Sequence, residues 1–115
     1  MSVQRLNKRV AVELPIVCKL EKQEQLLEMQ GRVNDLSING MKISFSRPLH
    51  AITSKLVDFV LELPHPFSRI KGHGEIQWKR WNADKQCTTC GVKLAPMNIN
   101  HLSELDAIIS EIQED

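Results

Sequence analysis

A series of six short apolar segments, separated by turn-forming residues, constrains the fold of this chain more than any other feature. Met41, Ile43 and Phe45 alternate with polar or small residues in one of them, as expected for a strand with one buried face. The segments cover residues 10–20, 26–34, 40–46, 56–63, 69–79 and 90–95. The breaks contain Asn39-Gly40, Arg47-Pro48, Pro64-His65-Pro66 and the polar stretch 82–88. Closely spaced strands with such turns predict a small antiparallel barrel or sandwich.

The last segment has a different periodicity, because its apolar residues recur every three or four positions. This spacing predicts an amphipathic helix over about residues 98–113, with an apolar face formed by Ile99, Leu102, Leu105, Ile108, Ile109 and Ile112. Asn98 or Asn100 is the expected N-cap, since an Asn side chain accepts a backbone N–H at a helix start. A single helix with one apolar face must pack on another surface, and we expect it to cover the open end of the barrel.

The length and charge distribution divide the chain into a basic arm and one domain. The 115 residues suffice for a single core, which we assign to residues 10–115. Hydrophobic residues make up 42% and charged residues 25% of the chain, so disorder throughout is excluded. The net charge of +1 does not favour general polyanion binding. Residues 1–9 contain Arg5, Lys8 and Arg9 and are expected to form a flexible arm at which an anion binds.

The sequence contains no pattern typical of export or membrane insertion. No apolar run approaches the roughly 18 residues of a membrane helix, and no basic start leads into an apolar stretch with a small-residue cleavage site. The three cysteines, an odd and small number, are typical of a reduced compartment. We therefore expect the protein in the cytoplasm.

Two short motifs carry the side chains best suited to ligand binding. Arg5 and Arg9 form an R-x-x-x-R sequence, and Asp35, Ser37 and Gly40 form a D-x-S-x-x-G sequence. Guanidinium groups bind phosphates and stack on bases, a carboxylate matches the two neighbouring donors on the edge of guanine, and glycine permits close backbone approach. Each motif alone is also compatible with solvated charge or an ordinary turn. One β-hairpin fits between them, so together they predict a ligand that contains guanine and phosphate.

These motifs and the strand pattern make the sequence resemble the PilZ domain from about residue 4 to residue 112. Both motifs match those of the family, RxxxR and D/N-x-S-x-x-G. Gly74-Glu75-Ile76-Gln77-Trp78 is similar to the family's strand that ends in tryptophan, and Cys90-Gly91-Val92-Lys93-Leu94 to its Gly-Val-x-Phe strand. Leu94 stands where the family usually has an aromatic residue. The resemblance implies an all-β fold with one helix, a six-stranded antiparallel β-barrel followed by a C-terminal α-helix.

The resemblance also implies the ligand, cyclic di-GMP, and the residues that bind it: Arg5, Arg9, Asp35, Ser37, Gly40 and Trp78. By that resemblance the arginines bind the phosphates and stack on guanine, the aspartate and serine recognise guanine, and the glycine shapes the turn. Trp78 is also compatible with a partly buried barrel residue, and Lys79 and Arg80 with either phosphate contacts or a solvated strand end. Family members bind one ligand or a stacked pair, and Gln4, just before the first motif, leaves both stoichiometries open. No metal ion or other cofactor is expected.

The function implied by the resemblance is that of a bacterial cyclic di-GMP receptor. The ligand would order residues 1–9 against the barrel, and the new surface would signal to a protein partner in motility, biofilm or virulence regulation. Interactions with a nucleic acid polymer or insertion into a membrane are not expected.

Two other functions are compatible with parts of the sequence. One is a PilZ-fold adaptor that acts only through protein contacts. The other is a barrel that stacks single-stranded nucleic acid on Trp78 and Trp81, although Asp35 is unfavourable in a general phosphate groove. Cys87-x-x-Cys90 lacks the second pair that a structural zinc site usually has, so no metal site is expected. The sequence has no motif that pairs a nucleophile with a base, so we do not expect an enzyme.

Overall fold

Six antiparallel strands and one helix follow one another in the computed structural model, which describes residues 9–114. The predicted basic arm therefore lies outside the described residues, apart from Arg9. The strands are β1 (Val10–Lys22), β2 (Gln25–Leu36), β3 (Gly40–Phe45), β4 (Leu56–Leu61), β5 (Ile70–Asn82) and β6 (Cys87–Leu94), and the helix is α1 (Ile99–Glu114).

The strands close into a barrel in the order β1-β2-β3-β6-β5-β4. Every neighbouring pair is antiparallel, including the pair β1 and β4 that completes the ring. The predicted six-stranded barrel is therefore confirmed, and the sandwich is excluded. Closure gives every strand two paired neighbours, whereas the ends of the long strands, such as β5 beyond Glu75, are paired on one side only.

The hairpin of β5 and β6 extends further than the sequence pattern predicts. Only residues 83–86 remain as its turn, whereas the polar stretch 82–88 favours a longer loop. The Asn82 side chain accepts the Lys85 N–H at 3.0 Å, and Gln86 adopts a φ of 55°. The backbone of the two strands stays paired through this stretch, with residues 82–86 exposed and the buried Thr88 hydroxyl donating to the Arg47 carbonyl at 2.7 Å.

The core is built from the inward faces of all six strands. Along β1, for example, Ile16, Cys18 and Leu20 are buried and alternate with more exposed residues. Cys18 faces the barrel interior from β1, and Cys90 faces it from β6 on the opposite side of the ring. Burial raises the pKa of the Cys18 thiol to about 12 and that of Cys90 to about 11. Both thiols are therefore protonated core residues at neutral pH.

Helix α1 packs part of its predicted apolar face on the barrel core, whereas Ile99, at the start of that face, is 76% exposed. Leu105, Ile108 and Ile109 are buried within the same core as the strand residues. The Asn98 side chain accepts the His101 N–H at 2.9 Å, which confirms Asn98 as the N-cap. In the part of the chain that the structure describes, no helix combines the length and apolar character needed to cross a membrane.

Candidate ligand-binding site

Four residues on adjacent strands form one row across the outer face of the barrel. Asp35 on β2 is opposite Lys42 on β3, Lys42 is opposite Gly91 on β6, and Gly91 is opposite Trp78 on β5. The row lies in a surface cavity of about 470 Å³, which is also lined by Arg9, Asn39, Gly40, Gln77 and Lys93. The inward neighbours Met41 and Val92 belong to the core, so the cavity and the core occupy the two faces of the same strands.

Two irregularities in strand pairing determine the positions of Asp35 and Trp78, the residues at the two ends of this row. The register of β2 against β3 shifts between Val33 and Asp35, and that of β5 against β6 shifts between Ile76 and Trp78. Each shift inserts one extra residue, as a β-bulge does, and a bulge changes the direction of the side chains that follow it. The bulges therefore aim Asp35 and Trp78 at a common cavity.

The hairpin of β1 and β2 brings the two sequence motifs together. Val10 is opposite Leu36 and Ala11 is opposite Asp35, so Arg9 continues past the barrel wall beside the D-x-S-x-x-G turn. Arg9 Nη1 lies 3.2 Å from Asp35 Oδ1, and the two side chains are 52% and 26% exposed. The predicted approach of the arm to the turn is thus observed for Arg9.

The D-x-S-x-x-G turn is held together by its own hydrogen bonds. The Ser37 N–H donates to the Gly40 carbonyl at 2.9 Å. The Ser37 hydroxyl lies 2.9 Å from Asn39 Oδ1 and 3.2 Å from the Gly40 carbonyl. The Leu94 N–H donates to the Asn39 carbonyl at 3.0 Å, which ties the turn to β6. Ser37 is only 1% exposed, so its hydroxyl stabilises the turn instead of lining the cavity.

Two glycines form the floor of the cavity. A Cβ on Gly40 would lie 3.2 Å from the Val92 carbonyl oxygen and 3.3 Å from Arg9 Nη2. A Cβ on Gly91 would lie 2.2 Å from Trp78 Nε1, a distance that no real contact tolerates. The missing side chains therefore let the Arg9 guanidinium and the Trp78 indole lie directly against the barrel backbone.

The electrostatic character of the cavity is cationic. Arg9, Lys42 and Lys93 line it together with a single carboxylate, Asp35, which leaves a net charge of +2. The Arg80 guanidinium carbon lies 5.5 Å from the centre of the Trp78 ring, so it adds positive charge close by. Such a cavity favours an anion that also offers a flat ring to stack on an indole.

Only some of the site residues predicted from the sequence line the cavity. Arg9, Asp35, Gly40 and Trp78 line the cavity, Ser37 is buried in the turn beside it, and Arg5 lies outside the described residues. Four further residues line the cavity that were not predicted from the sequence: Asn39, Lys42, Gln77 and Lys93. A signal for Lys42 was available, because it follows Gly40 by two positions in a strand and therefore shares its face.

The two other candidates next to Trp78, Lys79 and Arg80, are consecutive strand residues beyond the bulge and therefore project from opposite faces of β5. Lys79 faces the opposite side of β5, where its ammonium donates to the carbonyls of Leu49 and Ile52 at 3.2 and 2.9 Å. Lys79 therefore does not line the candidate ligand cavity; it is exposed and lines the separate cavity that contains Trp81. Arg80 stays near the cavity through its contact with the Trp78 ring.

The Cys87-x-x-Cys90 pair does not converge on one point. The two residues are three apart in β6, so their side chains project from opposite faces of the strand. Cys87 is partly exposed and Cys90 is buried. Within residues 9–114, no group of three or more His, Cys, Asp or Glu side chains is arranged to hold a metal ion.

The fold and the cavity define a small closed β-barrel domain with a cationic, glycine-floored site on its outer face. The sequence model of the PilZ domain matches residues 4–111, and the chain therefore belongs to the PilZ domain family. A comparison with curated proteins gave no match.

Solved structures with the same fold come from several bacteria. The Bacillus subtilis inhibitor of motility, MotI/DgrA, is 11% identical, with a TM-score of 0.74 over 92% of this chain and 49% of that chain. The K. pneumonia MrkH complex with c-di-GMP is 11% identical, with a TM-score of 0.72 over 93% of this chain and 51% of that one. The PilZ domain of Escherichia coli YcgR with c-di-GMP is 13% identical, with a TM-score of 0.65 over 93% of this chain and 89% of that one. The chain thus spans about half the length of MotI/DgrA and MrkH. At these low sequence identities the similarity shows a shared fold.

Proposed function

We propose that this chain is a receptor for cyclic di-GMP and that the cavity between Arg9, Asp35 and Trp78 is its binding site. The observation that carries the proposal is the meeting of both motifs in one cavity, where Arg9 Nη1 lies 3.2 Å from Asp35 Oδ1. The solved structures of the YcgR domain and of MrkH with c-di-GMP support the choice of ligand.

The cavity residues have the chemistry that such a ligand requires. The Asp35 carboxylate accepts the two neighbouring N–H groups on the edge of guanine, and the Arg9 guanidinium donates to phosphate oxygens. Trp78 is 41% exposed, so part of its indole is free to stack on a base. The ligand replaces the contact between Arg9 and Asp35, since each group then bonds to the dinucleotide. Arg5 remains a predicted second phosphate ligand.

Binding of single-stranded nucleic acid fits the structure less well. Trp78 lies in the cavity on the outer face of the barrel, whereas Trp81 lines a separate cavity with His50 and Thr88. The two indoles therefore do not form the continuous stacking surface that such proteins use. Asp35, the one carboxylate that lines the cavity, is also unfavourable next to a phosphate backbone.

The proposed receptor acts by binding, without catalysis or a resident cofactor. Its output passes to a protein partner through the surface that Arg9 and the preceding residues form around the ligand. Motility and biofilm control are the processes we expect it to regulate in the bacterial cytoplasm.

Calorimetric titration with cyclic di-GMP tests the proposal, with cyclic di-AMP and GTP as competing ligands. We expect saturable, guanine-selective binding, and the molar ratio distinguishes one bound ligand from a stacked pair. Arg5→Ala and Arg9→Ala should each weaken binding about tenfold or more, since a charge-assisted phosphate contact is lost. Asp35→Asn should weaken cyclic di-GMP more than cyclic di-AMP.

Arg32→Ala is the matched control for the arginine variants. Arg32 is an exposed β2 residue whose Nη1 lies 3.5 Å from Glu13 Oε1, and it does not line the cavity. Its removal should leave affinity unchanged. Equal affinities of the Arg9→Ala and Arg32→Ala proteins would contradict the assigned site, and the absence of any binding by the wild type would favour the adaptor function.

A further inference from the structure

Lys42 occupies the centre of the row that crosses the cavity. It is opposite Asp35 on one side and Gly91 on the other, and Trp78 lies beyond Gly91. Neighbouring strands are about 4.8 Å apart, so the row from Asp35 to Trp78 spans roughly 14 Å. Gly91 has no side chain, and the Trp78 indole lies over it, since a Cβ there would be 2.2 Å from Trp78 Nε1. The indole and Lys42 therefore line the same cavity on either side of Gly91.

The charge of Lys42 is not neutralised by the residues that the structure describes. Its cross-strand neighbour Asp35 pairs with Arg9 instead, and Lys42 forms no ion pair with any described carboxylate. Lys42 is half-buried, and its side chain lines the cavity. A half-buried cation without a protein partner beside a ligand cavity is available to bind an anion.

Lys93 provides a useful comparison within the same cavity. It lies opposite Gly40 on one side and opposite Glu75 on the other, and it is exposed. Each of the two lysines has an acidic residue directly opposite it, and neither forms an ion pair with that residue. Lys93 is more exposed than Lys42, so solvent screens its charge more strongly. Lys42 is therefore the stronger candidate for an anion contact.

We propose that Lys42 is a ligand-contacting residue of the cavity and that it binds a phosphate of the dinucleotide. The inference rests on the proposed function and adds a residue that lies outside both sequence motifs. A lysine ammonium has three donors and no acceptor, so it suits a phosphate oxygen and not the donor edge of guanine. In a cyclic dinucleotide the phosphates lie between the two bases. A base at Asp35 and a second ring system at Trp78 therefore bring a phosphate over the centre of the row.

The test compares the affinities of the wild type, Lys42→Met and Lys42→Arg for cyclic di-GMP by calorimetric titration. Methionine keeps much of the aliphatic length and removes the charge, and it should weaken binding about tenfold or more. Arginine restores the charge and should recover most of the affinity. Raising the ionic strength should weaken the wild type more than Lys42→Met, because the variant has lost one screened attraction. Thermal unfolding of each variant checks that the fold is retained.

Lys71→Met is the matched control for removal of a lysine from the outer surface of the barrel. Lys71 is an exposed residue of β5 and does not line this cavity, so its removal should leave affinity unchanged. Lys42→Met protein that binds as tightly as the wild type would overturn the assignment of Lys42 while leaving the receptor intact. Wild-type protein that binds no cyclic di-GMP would instead overturn the proposed function on which the assignment rests.

Discussion

Replacement of Gly91 by alanine tests the geometry of the cavity most directly. The new Cβ would lie 2.2 Å from Trp78 Nε1 and 2.4 Å from Cε2. Carbon atoms in contact are normally about 3.5–4.0 Å from their neighbours, so the indole must move by more than 1 Å or leave its position. We expect Gly91→Ala to displace Trp78 from the cavity wall while the core residues Cys90 and Val92 stay in place.

The cost of this displacement follows from the burial of Trp78. A free indole side chain has about 250 Å² of surface, and Trp78 is 41% exposed, so its contacts cover about 150 Å². Loss of half of these contacts costs about 2 kcal/mol at roughly 25 cal/mol per Å². Loss of the stacking surface should also weaken cyclic di-GMP binding by about tenfold, since base stacking contributes about 1–3 kcal/mol.

Both effects can be measured on a double-mutant cycle of Gly91→Ala and Trp78→Ala. Urea unfolding gives the change in stability, and ligand titration gives the change in affinity. The chain has two tryptophans, so a Trp81→Phe background leaves Trp78 as the fluorescent reporter, and its emission should shift to longer wavelength in Gly91→Ala. In a Trp78→Ala background the same Gly91→Ala change should cost almost nothing, because the clash has been removed. A loss of stability that is equally large with and without Trp78 would refute the reasoning.

Three further predictions concern other parts of the domain. Arg9→Ala should change the free energy of unfolding by less than about 1 kcal/mol in urea titrations, because its ion pair is exposed; a larger change would mean that Arg9 is part of the scaffold. Ser37→Ala should cost about 1–2 kcal/mol in the same assay, because a buried hydroxyl that holds the turn is removed; unchanged stability and affinity would contradict that role. Burial raises the pKa of Cys18 and Cys90 from 9.0 to about 12 and about 11, so above about pH 9 the unfolded chain loses these protons first and stability should fall. Urea unfolding at about pH 7 and about pH 10 should show this fall, and a Cys18→Ala, Cys90→Ala protein that shows the same fall would assign it to other groups.

The sequence allowed most of the fold to be predicted, because strand faces and helix faces are local properties. The alternation of Met41, Ile43 and Phe45 predicts the buried face of β3, and all three are buried. The N-cap at Asn98 is likewise a property of a few consecutive residues. The prediction was less accurate at the turn between β5 and β6, where polar residues continue the ladder to Asn82 and from Cys87.

The candidate site was only partly predictable, since its residues come from four strands and the segment before β1. The motifs identified Arg9, Asp35 and Gly40 because short polar patterns of this kind are visible in the sequence. Gly91 could not be assigned to the site in this way, and Lys42 only through the strand face that it shares with Gly40. Their neighbours depend on the pairing of β3 with β6, which is set by closure of the barrel.

The sequence by itself therefore determined which residues form strands, which face of each strand is buried and which polar motifs carry ligand chemistry, because these follow from local periodicity and side-chain type. The tertiary structure alone decided which side chains meet. Barrel closure and two bulges align Asp35, Lys42 and Trp78 across Gly91, whereas burial in its own turn removes the Ser37 hydroxyl from the cavity wall. Register between strands depends on contacts that are distant in the chain, and no local pattern specifies them.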